Sequence, residues 1–235
     1  MPSTQYLSSR NRLLAKLPRH ELDHFLAHSE LVHLSCAEEL EAPQALIEHV
    51  YFPLDSFISL VMVIDRHSRL EVGLIGCEGM LGTSLMFGIK ISSFYAVVQG
   101  AGAALRITAA AFAHELEQNT ALHHRLQGYS YVLKNQFARM AACTRFHVVE
   151  QRLARLLLMT RDRAHADRFH LTHEAMALML GVRRVGITKA ATALHRQNLI
   201  SYSRGDITIL DHSGLEAVSC ECYGAERNMY QSVLG

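Results

Sequence analysis

An α+β chain in two parts is what the sequence predicts: an antiparallel β-barrel of the double-stranded β-helix kind, then a long helix, then a winged helix-turn-helix. Three observations carry that expectation. Residues 51–107 break into short strand-like runs, residues 109–147 contain no proline, and residues 171–210 read as helix, glycine turn, helix and hairpin.

The strand runs are 51–53, 57–64, 70–75, 94–98 and 103–107, rich in β-branched and aromatic residues and separated by Asp-Arg-His-Ser, glycine-rich and polar stretches. Strands this short and closely spaced suit a small antiparallel barrel. The proline-free stretch from 109 to about 147 reads as one long helix. Along it Leu122, Leu126, Tyr129, Leu133, Gln136, Met140 and Cys143 recur at alternating four and three spacing, a seam that packs on a partner helix, on the chain's own barrel, or on both. A new helix starts near Val148, leaving a hinge at Phe146 and His147.

Thr172 suits the cap of a helix whose apolar positions include Ala175, Met176, Met179 and Leu180, and Gly181 gives the backbone freedom for a sharp turn. The next helix places Ile187, Ala191 and Leu194 on one stripe and Arg184, Thr188 and Lys189 on the opposing side, near the end where a recognition helix meets bases and phosphates. Residues 199–202 and 206–210 alternate as strands around Arg204-Gly205, which makes them a wing. Charge agrees. Residues 148–210 hold ten Lys plus Arg against five Asp plus Glu, whereas the whole chain is only +1, so basic charge gathers where phosphate neutralisation requires it.

Residues 172–189, the following Leu-His-Arg-Gln-Asn-Leu-Ile and the hairpin resemble the DNA-binding domain of the Crp/Fnr superfamily of bacterial transcription regulators. The resemblance implies a cyclic-nucleotide-binding-like sensor domain over 1–115, a dimerisation helix over 116–147 and a winged helix-turn-helix over 148–235. It also implies a homodimer on a pseudo-palindromic site in double-stranded DNA, with RNA polymerase as a further partner. Arg184 and Lys189 match the family's two basic base-reading positions, and Thr172 matches a phosphate contact. Val185 stands where the family carries a glutamate; valine cannot accept a hydrogen bond from cytosine but can touch a thymine methyl, so a different half-site is expected. Arg183 and Thr188 are expected to contact bases or phosphates, and Arg204 the backbone.

The segment Gly76-Cys-Glu-Gly79-Met-Leu-Gly82-Thr-Ser occupies the place of the superfamily's phosphate-binding cassette. The candidate ligand residues are Gly79, Met80, Gly82, Thr83, Lys90 and Ser92. Met80 replaces the ribose-binding glutamate and Lys90 or Ser92 the phosphate-binding arginine, so the bidentate fork is missing and cyclic AMP is not the expected effector. Glu78 could stand in if the loop slips by two residues. A tight turn that keeps its glycines for backbone geometry, and a different small ligand, both remain open, and no cofactor is identified.

Other classes find less support. At 235 residues and 49% hydrophobic content the chain can bury one sizeable core and a second small one. No run of eighteen apolar residues occurs and residues 1–6 lack the blocks of a leader peptide, so a cytoplasmic protein without membrane contact is expected. His20, His24 and His28 lie on one helix face, where a solvated surface is expected over a metal site. Cys36, Cys77, Cys143, Cys220 and Cys222 show no paired framework, which fits reduced thiols, and no metal ligands are assigned. His123 and His124 offer little for a haem. The strands carry only Glu71 as an acidic group and no His-x-His, so neither a cupin-type centre nor another catalytic constellation is expected. The alternative to a DNA-binding regulator is a ligand-binding regulatory module that acts through protein partners.

Overall fold

The computed structural model describes residues 10–64 and 69–235; the leader reading at residues 1–6 and the break at 65–68 lie outside the described residues. After a 3-10 turn at Leu14–Lys16, α1 (Arg19–Ala27) leads into β1 (Glu30–Leu34), β2 (Glu39–Glu41), β3 (His49–Pro53), β4 (Phe57–Val63) and β5 (Arg69–Ile75). Another 3-10 turn, Thr83–Phe87, precedes β6 (Tyr95–Gly100) and β7 (Gly102–Thr108). Then come α2 (Ala109–Gln118), α3 (Thr120–Phe146), α4 (Val149–Ala164) and β8 (Arg168–His170). α5 (His173–Leu180), α6 (Arg184–Arg196), β9 (Ile200–Ser203), β10 (Asp206–Ile209), α7 (His212–Val218) and α8 (Cys222–Leu234) follow.

The first seven strands form two antiparallel sheets, ordered β1-β7-β3 and β2-β6-β4-β5. Leu34, Tyr51, Ile58, Leu60, Ile75, Val98 and Ala104 pack together from both sheets. Because successive side chains of a strand leave opposite faces, Leu105 and Ile107 of β7 join a different cluster from Ala104, with Phe25, Phe52, Phe112, Leu122 and Leu126. β7 is thereby covered on both faces. β1 and β2 are strands that the sequence reading omits, because their charged, half-exposed residues carry little hydrophobic alternation.

The expectation of one helix across 109–147 is corrected at Asn119. This residue leaves helical geometry, its side-chain oxygen accepts from the Leu122 N–H at 2.8 Å, and its amide donates to the Glu21 carbonyl. Asparagine at an N-cap supplies a backbone partner without the warning that proline gives. α1 is held nearby: His24 and His28 each put Nδ1 within 2.9 Å of Oε1 of the fully buried Glu115. Glu115 is the carboxylate partner of the histidine face that the sequence spacing does not reveal.

The seven seam residues of α3 are all buried within a single chain. Leu122, Leu126, Tyr129 and Leu133 belong to the cluster beneath β3 and β7, and Gln136 donates to the Leu74 carbonyl and to Glu226 of α8. The seam is thus filled by the chain's own sheet and by α8, a helix that the sequence reading did not include. α8 lies against α3 and α4.

Where these helices meet, α4 buries three arginines. Arg155 donates to Glu226 Oε2 at 2.7 Å, and Arg163 pairs with Glu78 at 2.9 Å and lies 3.8 Å from Glu226. Arg152 donates to the Leu180 carbonyl at the end of α5. Tyr230 of α8 donates to the Glu78 carbonyl and Tyr223 to Asp162. Phe57 and Leu74 from the sheets also join the apolar cluster of the C-terminal part. Removing one partner of a buried ion pair strands the other charge, so Glu226→Ala is expected to cost about 3 to 5 kcal/mol in denaturant unfolding. Asp167→Asn, which breaks the exposed pair with Arg161, should cost under about 1 kcal/mol.

Candidate nucleic-acid interface and sensor loop

Thr172 caps α5, its hydroxyl accepting from the Ala175 N–H at 3.1 Å. α5 ends at Gly181, whose φ of +61° is a left-handed geometry that β-carbon-bearing residues adopt at a cost. Arg183 then forms the N-cap of α6 in extended geometry. Ile187, Ala190, Ala191 and Leu194 of α6 sink into a core shared with Leu153, Leu157, Met176 and Leu180. Arg183, Arg184, Val185, Thr188 and Lys189 all stand on the opposite, exposed side, with Val185 59% exposed. The spacing expected of a recognition face is the spacing found.

Beside it, β9 and β10 pair from Ser203↔Asp206 to Ile209↔Ile200, with β8 on the far edge. Arg204 (φ +51°) and Gly205 (φ +91°) make a two-residue turn with both φ positive, the geometry that matches strand twist. Arg204 is exposed at its tip. Arg168 is neutralised by Asp206, which hydrogen bonds from His170 and Arg168 hold below the usual carboxylate range. Among the described residues no ion pair engages Arg183, Arg184, Lys189 or Arg204, so four cations face outward with charge to spare.

His173 is a part of this surface that the sequence reading missed. Its ring stacks on Tyr202 of the wing, 4.3 Å between centroids and 12° between planes, and its Nδ1 lies 3.2 Å from Thr188 Oγ1. Burial and the Arg184 guanidinium push its pKa below the ordinary histidine value. A neutral ring therefore ties α5, α6 and the wing together. Its only sequence signal is its place beside the Thr172 cap.

The six residues expected to bind a ligand stand in different surroundings. Met80 is fully buried in the cluster under β3 and β7. Ser92 is buried and donates to Glu41 at 2.6 Å, while Lys90 is exposed. Gly82 precedes the turn that Thr83 opens. Gly79 is pressed against the chain itself, since a β-carbon there would overlap the Tyr129 hydroxyl oxygen. Glu78 accepts from the Gly76 N–H and pairs with Arg163, so the carboxylate that could serve in a slipped loop is already engaged. Gly76 and Gly79 make room for Arg163 of α4 and Tyr129 of α3, and Gly82 for Val50 of β3.

An apolar hollow of about 290 Å³ lies elsewhere, between β5 and α3, lined by Met62, Leu70, Val72, Phe94, Phe137 and Met140 among others. Glu71 is on β5 too. It is buried, receives the Ser59 hydroxyl hydrogen bond, and burial pushes its pKa up to about 8.

A basic recognition helix, a wing, and two antiparallel sheets joined to them by a long helix define a winged helix-turn-helix protein with a separate N-terminal β unit. Residues 151–218 match the family model of the Crp-like helix-turn-helix domain. Over about four fifths of the chain the fold is similar to that of solved transcription regulators. FixK2 of Bradyrhizobium japonicum is 13% identical, with 82% of this chain and 98% of that one covered at a TM-score of 0.69. The c-di-GMP-responsive global regulator CLP of Xanthomonas campestris is 14% identical, with 83% and 100% covered at 0.66. A CRP-family transcriptional regulator of Thermus thermophilus is 18% identical, with 80% and 96% covered at 0.65. No curated protein matches by sequence. The chain thus carries a Crp-like helix-turn-helix domain on the Crp/Fnr fold, and none of its described helices is long and apolar enough to cross a membrane.

A carboxyl that titrates higher in the folded chain than in the unfolded one binds its proton preferentially in the fold. The stability Glu71 contributes is therefore complete below its ordinary 4.5 and lost as pH rises through about 8. Unfolding free energy should decline across that window with a slope approaching about 1.4 kcal/mol per pH unit. In Glu71→Gln this component should vanish, as denaturant melts at several pH values would show.

Proposed function

We propose that the chain is a sequence-specific, DNA-binding transcription regulator of the Crp/Fnr type, non-enzymatic, working as a homodimer on a pseudo-palindromic site. The observation that carries it is the exposed, unpaired Arg183, Arg184 and Lys189 on the one face of α6 that its core does not use. In this reading Arg184 and Lys189 contact base edges in the major groove, with Val185 against a thymine methyl, and Arg183 and Thr188 contact bases or phosphates. Thr172 and Arg204 hold the sugar-phosphate backbone. The units would be a sensor domain over 1–115, a dimerisation segment over 116–147 built chiefly on α3 and the DNA-binding domain over 148–235, with RNA polymerase as the protein partner in the cytoplasm. No effector is assigned beyond the exclusion of cyclic AMP, a reading supported by the engagement of Glu78 with Arg163 and of Gly79 with Tyr129.

In vitro selection from random duplexes by the purified chain should enrich an inverted repeat with half-sites about 34 Å apart. On the selected site, Arg184→Ala is expected to cost about 1 to 3 kcal/mol and to relax preference at one base pair. Arg204→Ala should weaken selected and random duplexes equally. Fluorescence anisotropy would read both, and identical specific and non-specific losses for the two variants would contradict the assignment.

We place the dimer face away from the sequence-read seam, a choice supported by the burial of that seam under the chain's own sheet and α8. Gln127, Tyr131, Lys134, Ala138, Ala141 and Arg145 share that same alternating four and three spacing on the exposed side of α3. We assign the twofold contact to this stripe. Ala138→Glu together with Ala141→Glu should convert a dimer to monomer in sedimentation velocity while leaving the circular dichroism melt in place; Leu126, facing inward, would lower the melt when cut to Ala.

A further inference from the structure

The sequence reading assigns no metal ligands, and by chain position it could not: Cys143 and Cys220 are 77 residues apart. In the fold, Cys143 of the last turn of α3, His147 of the α3–α4 junction, and Cys220 and Cys222 at the start of α8 converge. Their ligand atoms all lie within 4.8 Å of one another. We propose that these four residues form a closed Cys3His site for a divalent ion of tetrahedral, thiolate-rich preference, zinc first, which clamps the junction between α3 and α4 to α8.

Geometry is the first support. A tetrahedral ion with metal–sulfur bonds of about 2.3 Å sets neighbouring sulfurs about 3.8 Å apart. Cys143 Sγ and Cys220 Sγ stand 3.6 Å apart, and Cys222 Sγ and His147 Nδ1 3.7 Å. Those separations suit ligands around a common centre; a disulfide would need sulfurs at about 2.05 Å. Spacing is the second. His147 caps α3 with its N–H on the Cys143 carbonyl at 3.2 Å, while Cys220-x-Cys222 supplies two thiols from one short segment.

Charge is the third. Ligation releases one proton from each thiol, and three thiolates with a divalent ion leave a net charge of −1. Arg155, buried and with its Nε free of a hydrogen-bond partner, acts favourably on Cys143 and Cys220, as does Arg152 on both. All three cysteines are buried and pack on one another, whereas Cys36 is exposed and apart from them. Four protein ligands leave no open position for substrate, which is the arrangement of a structural ion.

The consequence falls on the hinge. An ion here would join His147, the first of two extended residues between α3 and α4, to the segment that carries α8, fixing the angle at which α4 and the recognition helix leave the long helix. The proposal stands independently of DNA binding.

The test uses the full chain, purified under reducing conditions without chelator. Elemental analysis should find about one zinc per chain, retained in Cys36→Ser and lost in the Cys220→Ser, Cys222→Ser double variant. Cobalt(II) titrated into the stripped wild-type chain should give the intense visible bands of tetrahedral thiolate coordination, abolished by one equivalent of zinc. This measurement does not depend on whether the variants fold. Pale octahedral cobalt spectra with substoichiometric zinc would overturn the proposal. So would an intact mass showing two hydrogens lost and a Cys143–Cys220 cross-linked peptide under those reducing conditions.

Discussion

Glu226 is the residue on which the arrangement of the two halves depends. It sits on α8 yet accepts from Gln136 of α3 and Arg155 of α4, with Arg163 close by. Arginine and carboxylate lose strong hydration when buried, and only close, well-directed hydrogen bonds repay that loss. The same arginine that approaches Glu226 also reaches Glu78 in the glycine-rich loop. One largely buried carboxylate and two arginines on a single helix thereby connect sheet, long helix and DNA-binding domain. Such a network has few alternative arrangements, because any displacement strands a charge.

That constraint explains why the glycine-rich loop looks like a ligand cassette and is packed like an interior turn. Tyr129 lies where a side chain on Gly79 would be, and Tyr230 holds the Glu78 carbonyl. The hollow between β5 and α3 is of different character, bounded by Met62, Leu70, Phe94 and Phe137. Met140 and Thr144, on the last turns of α3, line it as well.

The recognition helix was readable from sequence because its determinants are local: a cap at Thr172, a glycine at 181, and a stripe of apolar residues whose period is that of one helix. Strands β3 to β7 were readable for the same reason, whereas the charged, half-exposed β1 and β2 were not. What escaped were determinants separated by long stretches of chain. Asn119 ends one helix and starts another through its side chain and through Glu21, which sequence periodicity cannot show. The α3 seam gave the correct buried residues and one of their neighbours, the chain's own sheet, but not α8, since a stripe of leucines does not say which surfaces will cover it. Glu115 as partner of two histidines, Glu226 as a hub, and the meeting of Cys143 with Cys220 all arise from pairs brought together only by the finished fold.

The position of α8 in chain order has a kinetic consequence. Gln136 and Glu226 are separated by 90 residues, so α3 is made, and its inward stripe exposed, well before the helix that completes its cover. During synthesis the sheets and the first helices emerge able to pack Leu122 and Leu126, while Gln136, Arg155 and Arg163 wait for residues near 226. Long-range closure of this kind is slow relative to local helix formation. Until it occurs the DNA-binding unit is tethered by the hinge but not oriented by it, and the nascent chain presents apolar helix surface to chaperones or to other copies of itself.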